Sequence, residues 1–233
     1  MTDVLIAIQA RSTSTRLPNK GFAVIGGSTM TERVIAAAMN SAKHLGGRNA
    51  YPANVAVVLV IPEGDPLKMY ENTIDVVEGS EHDVLSRFGL AFKKYNPKFL
   101  VRLTGDCPDL KPAMITKVID SARAKNADYC SNCGDDWRTS ADGHDVEVMS
   151  ARGFHWLLEN SKEPREREHV TIAIKERPPK WAITGACLHQ VDNSDQKWSV
   201  DSIEDLALQR ERDSRLSQKK KIAGMKHNFV VWF

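Results

Sequence analysis

Val4-Leu5-Ile6-Ala7-Ile8-Gln9-Ala10-Arg11-Ser12-Thr13-Ser14-Thr15-Arg16-Leu17-Pro18-Asn19-Lys20 joins an apolar run to a loop carrying three cations and a string of hydroxyl side chains. An apolar run without polar alternation predicts a strand buried on both faces, of the kind found inside a parallel sheet covered by helices. A basic, hydroxyl-rich loop at the carboxyl end of such a strand suits a polyphosphate. Arg11, Arg16 and Lys20 can neutralise its charge, while Ser12 to Thr15 and backbone N–H groups take the remaining oxygens.

Outward from this segment, apolar runs alternate with capped amphipathic stretches, the order expected of an α/β fold. Residues 3–9 predict the first strand, and Thr29-Met-Thr-Glu32 has the form of a capping box that opens a helix to about residue 43. Residues 54–61 predict a second fully buried strand, and 75–77 a short one. Asp83 can cap a helix over 84–95, whose apolar face includes Val84, Leu85, Phe88, Ala91 and Phe92. A strand over 99–103 follows, then a helix from Pro112 to about 124, with 127–131 extended. Residues 145–150 and 182–189 predict strands, 151–160 and 165–176 helices, and Ser202 with Asp205 caps a last helix from 203 to about 216. The polar interval 134–143 predicts an exposed loop near the ligand.

The 233 residues suffice for one α/β domain, assigned to residues 1–217. Residues 218–233 form a tail that starts with Lys219-Lys-Lys221 and ends in Phe229-Val-Val-Trp-Phe233, an apolar end that needs burial on the domain or on the partner subunit of a homodimer. Charged residues at 27% and hydrophobic ones at 42% exclude a disordered or fibrous chain, and a net charge of +2 gives no ground for a nucleic-acid partner. No apolar run approaches the roughly 20 residues that span a bilayer, and the N-terminus lacks a signal-peptide pattern. The expectation is a cytoplasmic protein without a membrane partner. Cys107, Cys130, Cys133 and Cys187 are too few for a disulfide framework; Cys130-Ser-Asn-Cys133 has CxxC spacing but no second ligand pair, so it reads as two reduced structural thiols.

The predicted strand at 99–103 runs into Thr104-Gly105-Asp106-Cys107-Pro108-Asp109. An acidic residue just past a buried strand, beside a glycine that permits close ligand approach, suits a hard divalent cation. Asp106 is the candidate ligand, and Asp201, just before the last helix, is the second. One carboxylate from each place plus phosphate oxygens would hold Mg²⁺, which keeps few protein ligands.

The segments Gln9-Ala-Arg11…Ser14-Thr-Arg16-Leu-Pro-x-Lys20, Gly79-Ser-Glu-His-Asp83-Val-Leu-Ser-Arg87-Phe, Val101-Arg-Leu-Thr-Gly-Asp106-Cys-Pro, Asp142-Gly-His-Asp145-Val-Glu147-Val, Arg167-Glu-His169-Val-Thr and Val200-Asp-Ser-Ile-Glu-Asp-Leu206 follow one another along the chain. In that order they resemble the spore-coat polysaccharide cytidylyltransferase-like family, related to CMP-Kdo and CMP-sialic acid synthetases, over about residues 4 to 210. The resemblance implies a Rossmann-like nucleotidyltransferase fold, three-layer α/β/α with a mostly parallel mixed sheet, CTP as donor and Mg²⁺ as cofactor. It implies a triphosphate clamp of Arg11 and Lys20 supported by Arg16, with Asp106 as the third catalytic residue. Gln9, Ala10, Ser12, Gly79, Ser80, Arg102 and Gly105 would approach the nucleotide, Asp106 and Asp201 the metal, and Asp145, Glu147, Arg167 and His169 the acceptor.

Two positions depart from the family pattern: Thr13 and Asn19 stand where relatives usually have glycine. Asn reaches positive φ readily and Thr rarely does, so Thr13 is the position that bears on loop shape, base preference and acceptor fit. The implied reaction joins CMP to an acidic sugar or related small acceptor and releases pyrophosphate, in surface polysaccharide or glycoconjugate biosynthesis. The alternatives are a nucleotidyltransferase using another nucleoside triphosphate with a sugar 1-phosphate, and a nucleotide-sensing module without turnover. A pure sensor would have no use for the Asp106 and Asp201 pair.

Overall fold

The computed structural model describes residues 2–48, 53–134 and 136–227, with side chains placed as far as residue 218. In chain order the strands are β1 (Val4–Gln9), β2 (Val24–Ile25), β3 (Ser28–Thr29), β4 (Val55–Pro62), β5 (Asp75–Gly79), β6 (Phe99–Thr104), β7 (Tyr129–Ser131), β8 (Glu147–Ser150) and β9 (Thr184–Ala186). The helices are α1 (Met30–Gly46), α2 (Val84–Tyr95), α3 (Pro112–Lys125), α4 (Ala151–Asn160), α5 (Pro164–His169), α6 (Ile172–Glu176) and α7 (Ile203–His227).

β2 and β3 form a small hairpin, and the other strands make one sheet in the order β5-β4-β1-β6-β8-β7-β9. β8 runs antiparallel to both its neighbours and every other pairing in this sheet is parallel. This is the mostly parallel mixed sheet expected. β1 sits between β4 and β6, so its residues are buried on both faces. Val4, Ile6 and Ile8 join one core with residues of α1 and α3, while Leu5 and Ala7 join another with residues of α2, α4 and α6. The two cores make three layers, and each large apolar side chain so buried contributes roughly 1.5–3 kcal/mol.

The caps follow the sequence. Thr29 and Glu32 form the reciprocal box at α1, Asp83 accepts from the Ser86 N–H at α2, and Ser202 accepts from the Asp205 N–H at α7. Other expectations need correction. The single helix expected over 165–176 is two, α5 and α6, because Val170 takes a left-handed φ of 62°. That break buries Val170 and turns the Thr171 hydroxyl inward onto Glu147. The strand expected over 182–189 is only β9, β8 starts at Glu147 rather than 145, and α7 runs past 216 to His227. The interval 134–143 is not wholly exposed, since Ser140 and Ala141 are buried and the Ser140 hydroxyl donates to the Asn132 carbonyl. The expected packing of the tail falls on residues whose side chains lie outside those described. No helix among the described residues is long and apolar enough to cross a membrane.

Candidate active site

The carboxyl ends of β1 and β6, the loop after β1, the first turn of α2, the end of α5 and the junction before α7 enclose a cleft of about 320 Å³. Gln9, Ala10, Arg11, Arg16 and Lys20 line it from the first loop, Arg102, Gly105 and Asp106 from β6 and the turn beyond, and His169 and Asp201 complete the wall. Gly105 lines the cleft and also permits the close approach of two loops. Its N–H donates to the Gln9 carbonyl at 2.8 Å, and a Cβ there would stand 2.9 Å from the Ala10 Cβ.

Three distant positions meet at the Lys20 ammonium. Its Nζ donates to Asp106 Oδ2 at 3.2 Å, to Asp201 Oδ1 at 3.2 Å and to the Val200 carbonyl at 3.3 Å. Arg16 Nη2 also reaches Asp201 Oδ1, at 3.1 Å. The backbone prepares this meeting, because the Val200 N–H donates to the Asp106 carbonyl and ties the start of α7 to the end of β6. Asn19, with φ 57°, holds the left-handed turn just before Lys20 that a glycine would otherwise supply. Burial would raise the Asp106 carboxyl, but Lys20 holds it below its ordinary value. Two convergent carboxylates are hard oxygen donors, the set Mg²⁺ takes alongside substrate phosphates. Among the described residues no group of three or more acidic, histidine or cysteine side chains gathers to hold a metal by itself.

Arg87, which the sequence reading passed over, is the strongest feature of the cleft. It lies on α2 with 1% of its surface exposed, lines the cleft, and its Nε and Nη1 have no hydrogen-bond partner. Burial and the neighbouring Arg11 push it down to about 10. A buried guanidinium without its hydrogen bonds is costly, and an anion in the cleft would supply them. The sequence did carry a signal: Val84, Arg87, Phe88 and Ala91 are spaced as one apolar helix face, and an arginine occupies it.

Several expected residues are placed elsewhere. Ser12 is buried, and both its N–H and its hydroxyl donate to Asp65 Oδ2, at 2.8 and 3.0 Å, satisfying a carboxylate that is itself buried. Thr13 is exposed and its hydroxyl donates to Glu81 at 2.5 Å. Gly79 ends β5 outside the cleft lining, and Ser80 lines an adjoining recess with Arg11 and Arg167. Arg167 is held there by two bonds to Asp83, at 3.0 and 2.6 Å.

Asp145 pairs with Arg138 at 3.1 Å, outside the lining of the cleft, and burial pushes its carboxyl up to about 6. Glu147 is 2% exposed and cannot meet an acceptor directly. It accepts from Tyr129, Thr171, Lys175 and Arg102; burial would raise it, but Arg102 and Lys175 hold it down to about 2. Arg102 in turn donates to Gln9 Oε1 at 3.1 Å, so Glu147 orients the cleft wall from behind. Of the four expected acceptor residues, only His169 lines the cleft. Cys130 and Cys133 are free thiols that burial pushes up, Cys130 to about 11, which disfavours the thiolate a metal would need.

A family model described as "Cytidylyltransferase" matches residues 5–45 and 67–225. The chain belongs to the cytidylyltransferase family. It thereby stands among the nucleotidyltransferase enzymes. Among relatives of this cytidylyltransferase, the spore coat polysaccharide biosynthesis protein SpsF of Bacillus subtilis is 27% identical over 197 residues, covering 78% of this chain and 74% of the relative. The 3-deoxy-manno-octulosonate cytidylyltransferase of Proteus mirabilis is 28% identical over 189 residues, covering 73% and 67%. The chain spans 66% to 74% of the length of the curated relatives it matches. A solved cytidylyltransferase from Leptospira borgpetersenii is similar over 100% of both chains, with a TM-score of 0.76 and 25% identity.

Proposed function

We propose that this cytidylyltransferase transfers CMP from CTP to an acidic sugar or related small acceptor and releases pyrophosphate, in surface polysaccharide or glycoconjugate biosynthesis. The observation that carries the reading is the composition of the cleft: Arg11, Arg16 and Lys20 from the loop after β1 and Arg87 from α2, its Nε and Nη1 without hydrogen bonds, around Asp106 and Asp201, which both meet the Lys20 ammonium. In this reading the arginines hold the triphosphate, and Lys20 leaves its two carboxylates for the phosphates. Asp106 and Asp201 would then hold Mg²⁺. The bound ion supplies charge neutralisation at the reacting phosphate. The acceptor hydroxyl displaces pyrophosphate from the α-phosphorus, so the chain's own work is positioning and charge stabilisation, without a covalent nucleophile. The relatives named for cytidylyl transfer and for spore-coat polysaccharide support the donor and the setting. The test is pyrophosphate release from each of the four nucleoside triphosphates with Mg²⁺ and a panel of acidic sugars. Release from CTP alone is expected, and release only with another triphosphate and a sugar 1-phosphate would replace this reading.

The role given to Arg87 makes a separate prediction. Arg87→Met should weaken CTP binding by about 1.5–3 kcal/mol, roughly tenfold to hundredfold, since charge-assisted bonds to phosphate are lost. The thermal midpoint of the nucleotide-free protein should hold or rise, because a desolvated charge whose Nε and Nη1 lack hydrogen bonds is removed. Calorimetric titration and thermal melting of the same preparations check both halves.

A further inference from the structure

Among the described residues four non-glycines take a positive φ: three are asparagines, and the fourth is Val170, with φ 62° and ψ −59°. Asparagine reaches that region readily, whereas a β-branched side chain almost never does. The Thr171 N–H donates to the His169 carbonyl at 2.6 Å, so residues 169–171 close a γ-turn of the rare, strained hand. The surroundings hold it there. Val170 is fully buried in one core with Phe88 of α2 and Ile174 of α6, the Thr171 hydroxyl donates to Glu147 at 2.6 Å, and Arg167, just ahead of the turn, is tied to Asp83. Backbone strain maintained by its surroundings belongs with function where it aims a side chain at a site. This turn ends α5 on His169, which lines the same cleft as Arg11, Lys20, Arg87 and Asp106.

We propose that His169 is a catalytic residue, the general base that takes the proton from the acceptor hydroxyl as its oxygen attacks the α-phosphorus. The proposal rests on the transferase reading above. As the oxygen–phosphorus bond forms, the bond from the α-phosphorus to the bridging oxygen breaks and leaves its electron pair on pyrophosphate, while the hydroxyl proton passes to a ring nitrogen of His169. The side chain is exposed, so the proton is then returned to solvent. The ring is free for this step, because no hydrogen bond or ion pair among the described residues engages either of its nitrogens.

The other side chains of the cleft are poorer proton acceptors. Its arginines and Lys20 are donors without an acceptor site. Asp106 and Asp201 are both taken by the Lys20 ammonium, at 3.2 Å each, and in the transferase reading they go on to the metal. Glu168, beside His169 in the lining, is the remaining candidate. An ordinary glutamate holds a proton about a hundredfold less tightly than an ordinary histidine, and a base works best when its affinity for the proton matches the working pH. Glu168 also faces the adjoining recess that Arg11 and Arg167 line, whereas His169 lines the cleft alone.

The test is steady-state transfer from CTP by the full chain, with 3-deoxy-manno-octulosonate, N-acetylneuraminate and glucuronate as the acceptors tried and the fastest of them carried forward. His169→Gln keeps a polar side chain of similar size without a basic nitrogen. It should lower kcat at least a hundredfold, while the acceptor KM and the CTP affinity measured by calorimetry stay within threefold. Glu168→Gln should lose at least tenfold less. Added imidazole should raise kcat of His169→Ala at least tenfold and leave the wild type unchanged. Because His169 is exposed, neither of its variants removes a core contact. A loss of kcat below a hundredfold, a loss expressed mainly in KM, a larger loss in Glu168→Gln, or an alanine variant that imidazole does not rescue overturns the assignment while the transferase reading stands. If the wild-type chain transfers CMP to none of the three acids, the transferase reading and this proposal fall together.

Discussion

Glu147→Gln is expected to lower the unfolding free energy by about 3–5 kcal/mol, the cost of breaking a buried ion pair from one side. The carboxylate is 2% exposed and gathers Arg102, Lys175, Tyr129 and Thr171 from separate parts of the chain. The glutamine keeps the shape but leaves Arg102, itself largely buried, without its counter-charge. Urea denaturation of both proteins measures the difference, and a change under about 1 kcal/mol would show that the network is not the keystone described. The pH dependence has a definite sign. Glu147 titrates lower in the folded chain, near 2, than its ordinary value, so its contribution is complete above the usual carboxylate range and is lost as pH falls toward 2. Wild type and Glu147→Gln should therefore converge in stability on acidification through that window.

Asp106→Asn and Asp201→Asn are each expected to reduce CMP transfer by about a thousandfold or more, since charge stabilisation by a held metal ion is worth several kcal/mol at the reacting phosphate. Stability should change by no more than about 1 kcal/mol, because either carboxylate left in place still meets the Lys20 ammonium, at 3.2 Å. The same geometry sets lysine and metal in competition for these oxygens. Mn²⁺ titrated into the chain alone and followed by electron paramagnetic resonance should bind weakly, because Lys20 already neutralises the pair. Addition of CTP should strengthen binding by drawing Lys20 to the phosphates, and either asparagine variant should abolish that gain. Equal Mn²⁺ affinity with and without CTP would contradict the shared use of Asp106 and Asp201.

The central sheet was legible because β1 and β4 carry unbroken apolar runs and β6 is apolar through Leu103 but for Arg102, and such runs have few homes outside a covered parallel sheet. The convergence of Asp106 and Asp201 was legible for a related reason, since each follows or precedes an element that ends at the same edge of the sheet, whereas the Lys20 ammonium between them was read only as a phosphate contact. Side chains with long-range partners were not. Ser12 looked like a phosphate donor, yet Asp65, far along the chain, claims both of its donors. Arg167 and Glu147 looked like acceptor contacts, and each is bound to groups that pattern alone could not bring near, Asp83 for one and Arg102 with Lys175 for the other. Arg87 was not singled out, because the apolar face of its helix was read from Val84, Leu85, Phe88, Ala91 and Phe92, and the spacing that puts the arginine on that same face was not used.

The most direct test is calorimetric titration of the wild-type chain with CTP, UTP, ATP and GTP in the presence of Mg²⁺. One CTP should bind per chain, at least tenfold more tightly than the other three, with that affinity weakened roughly tenfold to hundredfold in Arg87→Met. Binding of none of the four, or tighter binding of a triphosphate other than CTP, would contradict the account.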